Sequence, residues 1–153
     1  MKALAKLAAI FALVTNGQAC ASESLGKDAL MLSRCEIVYS YSGQLLQLQN
    51  NIGGALAIYR RTALITTAIF FLNQENGVIA GWKVRKMKEL RVPIKSAFDT
   101  GSLDPLQEAR ACDKHAMPFA SAIRAKRQML WGKSFDEIQD LTFQKIKSSA
   151  GLG

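Results

Sequence analysis

Three cysteines, at positions 20, 35 and 112, limit the ways in which this 153-residue chain can fold. Cys35 lies three residues after Leu32 and four residues before Tyr39, so it belongs to the apolar stripe of an amphipathic helix. Cys112 lies on an apolar stripe at helical spacing with Ala109, Ala116 and Phe119, and the two alanines beside it are small. Small residues let two helix backbones approach to the Cα separation of roughly 5.5 Å that a disulfide needs. We therefore expect a Cys35–Cys112 disulfide that makes the first and fourth helices neighbours.

Residues 1–21 have the order of a secretory signal peptide. Basic residues precede the apolar run 7–14, and a short polar stretch follows it and leads to small residues ending at Ala21. Cleavage after Ala21 would remove Cys20 and leave an even pair of cysteines for an oxidising compartment. The interpretation is a periplasmic or secreted protein whose mature chain is the single helical domain 22–153.

Two alternatives to cleavage after Ala21 remain open. In the first, Cys20 is acylated and becomes the N-terminus of a lipoprotein, although Gly17 stands where such signals normally carry an aliphatic residue. In the second, the segment is the apolar first helix of a cytosolic protein. The order of charges and the small-residue site favour the cleaved signal peptide.

The size and charge of the mature chain favour one small basic domain. Removing 21 of the 153 residues leaves 132, enough for one hydrophobic core. The whole chain has 20 basic and 12 acidic residues, and the signal peptide holds two of the lysines and no acid, so the net charge falls from +8 to +6. A basic surface favours anionic partners. The sequence contains no strong nucleic-acid motif.

Helical periodicity predicts an all-α fold, a small bundle of four to five helices closed by one disulfide. The first helix should cover 25–49, and the asparagines and glycines of 50–54 should form a turn or at least a weak point in a continued helix. The second should cover 55–72, either as a buried core helix or as a membrane insert. Its uncharged run, 62–72, is 11 residues long, which is well short of the roughly 20 that a span needs. We therefore expect a core helix, with Gly77 as a cap beyond its end.

The second half of the chain carries more explicit helix boundaries. A third helix should begin at Val78 and end near Leu90, before Pro93. Asp104 and Pro105 are typical of an N-cap followed by proline in the first turn, which predicts a fourth helix toward Trp131 that Pro118 kinks or divides. Ser134 and Glu137 form the pattern of a capping box, which predicts a last helix to about Lys147.

Two basic segments form a candidate binding face. One lies in the third helix and the other near the end of the fourth. They could bind a membrane surface, a polyanion or an acidic protein, or they could be the solvated sides of two amphipathic helices. The candidate residues are Lys83, Arg85, Lys86, Lys88, Arg91, Arg124, Lys126 and Arg127.

No pattern in the sequence specifies a reaction. His115 is the only histidine and follows Cys112 by three positions, but two cysteines that should oxidise and one histidine do not supply the roughly four ligands of a structural zinc site. We expect no metal, cofactor or catalytic residue.

The expected function is that of an exported, non-enzymatic interaction or accessory protein of the bacterial envelope, such as a secretion- or conjugation-associated factor or an inhibitor or immunity protein. Its partner would be another envelope protein or an anionic surface, with peripheral membrane contact as one form of the latter. The alternative is a small helical enzyme or ligand carrier with a pocket near His115.

Overall fold

The computed structural model describes residues 26–75 and 80–152, with backbone alone for 75 and 80–86. The predicted all-α bundle is confirmed, and a short two-stranded hairpin is added to it. The predicted signal peptide, 1–21, and the predicted cap at Gly77 lie outside the described residues. The elements in chain order are α1 (26–48), α2 (Ile52–Glu75), α3 (Ala80–Asp99), α4 (Pro105–Ala125), β1 (Met129–Leu130), β2 (Lys133–Ser134) and α5 (Phe135–Ser149).

Helix α2 is the buried central helix. It packs against both α4 and α5, and residues 62–69 are buried without interruption. By length and composition alone, Ile52–Gln74 could cross a membrane, but 72% of its apolar window is buried inside the protein. The apolar side chains that a lipid phase would solvate are instead packed against neighbouring helices. The prediction of a core helix is confirmed.

The predicted disulfide joins α1 to α4. Cys35 and Cys112 lie with their Cα atoms 5.6 Å apart, and both side chains are buried. Polar contacts join the same two helices, among them a hydrogen bond that the Ser42 hydroxyl donates to the Pro105 carbonyl at 2.7 Å and an ion pair between Arg34 and Glu108 at 2.5 Å. The first and fourth helices are therefore neighbours, as the two cysteine stripes require.

The turn between α1 and α2 is shorter than predicted. Asn50 adopts a left-handed conformation with φ 59°, and α2 begins at Ile52. The Asn51 side chain accepts a hydrogen bond from the Gly54 amide at 2.9 Å. This bond satisfies one of the amides that a helix start leaves unpaired. The glycine pair therefore belongs to the first turn of α2, and the predicted start at residue 55 was three residues late.

The predicted end of the third helix before Pro93 was wrong. Helix α3 continues through Pro93 to Asp99. Pro93 itself is exposed, whereas the next residue, Ile94, is 7% exposed within the core. One turn further, the Phe98 ring meets the Tyr41 ring edge-on, with 5.8 Å between centroids. Because continuing the helix packs Ile94 and Phe98 against α1 and the core, that packing outweighs the one backbone hydrogen bond that proline removes.

Helix α4 begins as predicted and ends earlier than predicted. Asp104 caps it, accepting hydrogen bonds from the amides of Leu106 and Gln107 at 2.8 and 3.0 Å. Pro118 lies inside the helix and does not divide it. The helix ends at Ala125 instead of continuing toward Trp131.

A hairpin occupies the space between α4 and α5. Its strands pair antiparallel, with Met129 opposite Ser134, and its tight turn places Trp131 and Gly132 at φ 53° and 71°. The last helix then begins with the predicted capping box, in which the Ser134 amide donates to the Glu137 carboxylate at 2.6 Å and the Glu137 amide donates back to the Ser134 hydroxyl at 3.3 Å.

Candidate binding groove

An open groove runs between α1 and α5, with α2 as its floor and the hairpin at one end. Its volume is about 1110 Å³, slightly above the usual range of small-molecule pockets. We call this feature the binding groove. The lining side chains that recur along the three helices are Glu36, Ser40, Gln44 and Leu48 of α1, Tyr59, Thr62, Thr66 and Phe70 of α2, and Ile138, Leu141, Lys145 and Ser149 of α5.

Hydroxyl groups on the groove floor already donate hydrogen bonds within the protein. Thr66 donates to the Glu36 carboxylate at 2.8 Å, and Thr62 donates to the Ile58 carbonyl at 3.1 Å. The Tyr59 phenol donates to the Gln47 side chain at 3.2 Å. Because these donors are engaged, the floor offers a ligand little directional hydrogen bonding and recognises it mainly by shape and apolar contact.

The rim of the binding groove exposes large apolar side chains. Trp131, Leu141 and Leu48 have 73%, 58% and 83% of their surface exposed. The Trp131 ring lies against Phe70, with 5.8 Å between the ring centroids, so the hairpin turn holds the indole at the groove mouth. Apolar side chains clustered at the rim of a concave surface are typical of an interaction site.

Two lysines give the binding groove its positive charges. Lys133 lies on β2 and Lys145 on α5. In the described part of the chain, neither ammonium group lies within ion-pair distance of a carboxylate, although the charge of Lys133 acts on Glu137. Glu36 supplies the acidic group of the lining; it is half-buried, and its carboxylate accepts the bond from Thr66. The two exposed ammonium groups therefore dominate the charge that an occupant meets at the rim.

A second polar cluster lies beside the disulfide, outside the groove lining. The Tyr39 phenol donates to Asp113 at 2.8 Å, and the Arg61 guanidinium lies 3.4 Å from the same carboxylate oxygen. Burial, followed by the hydrogen bond to Asp113 and its negative charge, raises the pKa of Tyr39 well above its ordinary value of 10. The cluster bridges α1, α2 and α4 and serves to hold the bundle together.

His115 is placed on the exposed surface of α4. It lines neither the binding groove nor a smaller groove of about 630 Å³ near the end of α4. Within residues 26–75 and 80–152, no group of three or more histidine, cysteine, aspartate or glutamate side chains could hold a metal ion. Both grooves are therefore built from residues other than His115.

The candidate basic residues occupy two helices. Lys88 and Arg91 are exposed on α3, and the side chains of Lys83, Arg85 and Lys86 lie outside the described residues. The others come together at the end of α4, and they are Arg124, Lys126 and Arg127.

The cluster at the end of α4 is partly neutralised. The Arg124 guanidinium pairs with Asp136 of α5 at 2.7 Å, and Lys126 also has an interaction partner. Arg127 is exposed and sits in a left-handed turn with φ 51°. Exposed pairs of this kind add little to stability. The cluster therefore presents less free positive charge than its sequence indicates.

Sequence reasoning missed the binding groove itself. The available signal was in the last helix, where Phe135, Ile138 and Phe143 account for the buried side while Leu141 adds an apolar residue that is exposed. An apolar set wider than one core-facing stripe indicates a second contact surface.

The chain matches no protein family model, no curated protein and no solved structure.

Proposed function

We propose that this protein is an exported, non-enzymatic binding protein of the bacterial envelope, which acts as an accessory or inhibitory factor by holding a partner in the binding groove. The observation that carries the proposal is the concave surface between α1, α2 and α5, with an exposed apolar rim formed by Trp131, Leu141 and Leu48.

The Cys35–Cys112 pair supports the export part of the proposal. A disulfide between two buried cysteines of a bundle suggests an oxidising, extracytoplasmic compartment. The signal-like order of residues 1–21 supports a periplasmic or secreted location.

The chemistry of the groove supports binding over catalysis. A catalytic site needs an acid, base or nucleophile placed against the substrate. In the described lining, the carboxylate of Glu36 accepts a hydrogen bond from Thr66, and the phenol of Tyr59 donates to Gln47. The groove offers a partner an exposed apolar rim and two lysines, which suits recognition.

The export part is tested by the intact mass of the protein from an envelope fraction without reductant. We expect a chain that starts at Ser22 and is two hydrogen masses lighter than its reduced form. A full-length chain with two free thiols at Cys35 and Cys112 would contradict it.

The binding part is tested with a photo-crosslinking amino acid in place of Leu141, in cells that make the protein. The matched control places the same group at Val92, an apolar residue of α3 that is 71% exposed and lies outside the groove. We expect one adduct of defined mass from position 141, lost when Trp131→Ser is added, and no such adduct from position 92. The same adducts from both positions would show that the groove is not the binding site.

The alternative of an enzyme or ligand carrier centred on His115 has a direct discriminator. Under the proposal, His115→Ala leaves the adduct at position 141 and the biological activity unchanged, because the side chain is exposed outside the groove. Loss of activity with an intact adduct would favour the alternative.

A further inference from the structure

Resting on the proposed binding function, we infer that the occupant of the binding groove is an amphipathic α-helix of a partner protein. This helix would present an apolar stripe of about three turns toward the groove, with acidic side chains near both ends of the stripe. The inference combines the shape of the groove, its apolar rim and the positions of its two lysines.

The groove has the length and corrugation of a helix-binding surface. Its lining positions recur every three or four residues over 36–48 of α1, 59–70 of α2 and 138–149 of α5. At a rise of 1.5 Å per residue, each range is about 17 Å long, which equals about three helical turns. Side chains at this spacing form ridges on the surface of each helix. The ridges of a further helix can pack into the grooves between the ridges of these three helices. An added helix between α1 and α5 would complete a local four-helix arrangement.

The rim of the groove favours an apolar stripe on that helix. Trp131 and Leu141 are exposed along the α5 side, and Leu48 is exposed at the far end of α1. The floor between them carries the Thr62 and Thr66 hydroxyls, which are already donating within the protein. An occupant with apolar side chains three and four residues apart would bury the exposed rim without leaving those donors unpaired.

The positions of the two lysines favour acidic side chains near both ends of the apolar stripe of the bound helix. Lys133 lies two residues before Phe135, the first residue of α5, whereas Lys145 lies ten residues after Phe135. The two positions are therefore about 15 Å or more apart along α5. Residues eleven apart on a helix share one face, so two acidic residues at that spacing would each reach one lysine.

The same charge distribution disfavours a single-chain lipid. A fatty acid or lysophospholipid carries its negative charge at one end and an apolar tail at the other. With a lysine toward each end of the groove, the tail of such a ligand would lie beside one exposed ammonium group. A helix with acidic residues at both ends meets both charges.

The experiment uses the full mature chain with Trp82→Phe, which leaves Trp131 as its one tryptophan. The probe is an 18-residue synthetic helix with leucines on one stripe and glutamates at its ends. A second peptide replaces the glutamates by lysines. Binding is measured by the change in Trp131 fluorescence on titration. We expect saturable binding of the acidic peptide and at least tenfold weaker binding of the basic one.

Charge reversal in the protein tests the role of the two lysines. Lys133→Glu with Lys145→Glu should invert the preference, so that the basic peptide binds at least tenfold better than the acidic one. The matched control, Lys27→Glu with Lys114→Glu, changes the net charge equally at exposed positions outside the groove. It should keep the original preference. Inversion in both variants would show that net charge, and not the groove lysines, selects the peptide.

Phosphatidylglycerol vesicles and a lysophospholipid form the lipid arm of the test. If either changes Trp131 fluorescence saturably while the acidic peptide does not, the helix inference is overturned in favour of a lipid. If no probe binds while the crosslink from position 141 still forms, the partner is of another class and the inference is wrong, although the proposed function stands. If that crosslink is also absent, the proposed function fails with it.

Discussion

The phenol of Tyr39 on α1 donates a hydrogen bond to the carboxylate of Asp113 on α4, with 2.8 Å between the oxygens, one helical turn beyond the disulfide. Tyr39 has no exposed surface. Together with the Arg61 guanidinium, 3.4 Å from the same carboxylate oxygen, the pair links three helices at one partly exposed polar cluster.

Tyr39→Phe should lower the free energy of unfolding at neutral pH by about 1 kcal/mol, because it removes this hydrogen bond and keeps the ring. Since the folded-state pKa of Tyr39 is raised, the contribution is fully present below pH 10 and is lost as the pH rises above it. Urea unfolding at pH 7 and pH 11 should therefore show a larger difference between wild type and variant at pH 7. An equal difference at both values would contradict the raised pKa.

Removing the disulfide should destabilise the bundle strongly. Cys35 and Cys112 are 77 residues apart in sequence, and the chain-entropy model assigns a loop of that length about 4 kcal/mol. Thermal unfolding of Cys35→Ala with Cys112→Ala should show a much lower Tm than the wild type. Reductant should lower the Tm of the wild type and leave that of the variant unchanged, and a shift of both by reductant would count against the disulfide as the cause.

The capping box of α5 should make the free energy of unfolding depend on pH in the acidic range. Hydrogen bonds from Ser134, first from its amide, lower the pKa of Glu137 below its ordinary value of 4.5. The carboxylate therefore contributes stability above that value, and the contribution is lost as the pH falls. Glu137→Gln should destabilise the protein at pH 7 and have a smaller effect at pH 3. Asp140→Asn, on the same helix outside the cap, is the control for loss of a surface charge.

Pro93→Ala should stabilise the protein. Because α3 continues through position 93, alanine can restore the missing backbone hydrogen bond without changing the exposed face. The full cost of a proline inside a helix is about 3 kcal/mol, and the loss of proline's restriction on the unfolded chain offsets part of the gain. We expect an increase of about 1–2 kcal/mol in the free energy of unfolding. No increase would indicate that the helix is broken at this position in solution.

The basic segment of α3 should affect how fast an anionic partner associates. Replacing Lys83, Arg85, Lys86 and Lys88 by serine removes four positive charges and with them long-range attraction for an anionic partner. The association rate of the acidic peptide should fall and become less dependent on salt, while its dissociation rate changes little. Stopped-flow fluorescence at two salt concentrations measures both rates. A faster dissociation rate with an unchanged association rate would place these residues in the contact itself.

Local patterns in the sequence predicted most of the elements. The Asp104 cap, the Ser134 and Glu137 capping box and the two stripes that carry Cys35 and Cys112 each depend on residues within one or two turns of one another. Patterns of such short range can be recognised in the sequence alone. The disulfide followed from the same stripes and from the predicted removal of Cys20, which leaves two inward-facing cysteines with one possible pairing.

The tertiary structure decided what local patterns could not. Pro93 stays inside α3 because Ile94 and Phe98 find partners on α1 and in the core, and this packing is invisible in the segment 78–92 alone. The binding groove exists because α1 and α5, nearly a hundred residues apart in sequence, leave an open space between them above α2, although the Gln47 side chain of α1 donates a hydrogen bond to the carbonyl of Ala150, the C-cap of α5, at 2.8 Å. The sequence determines which faces of these helices are apolar, but the distances between helices decide whether an apolar face is covered or left open to a partner.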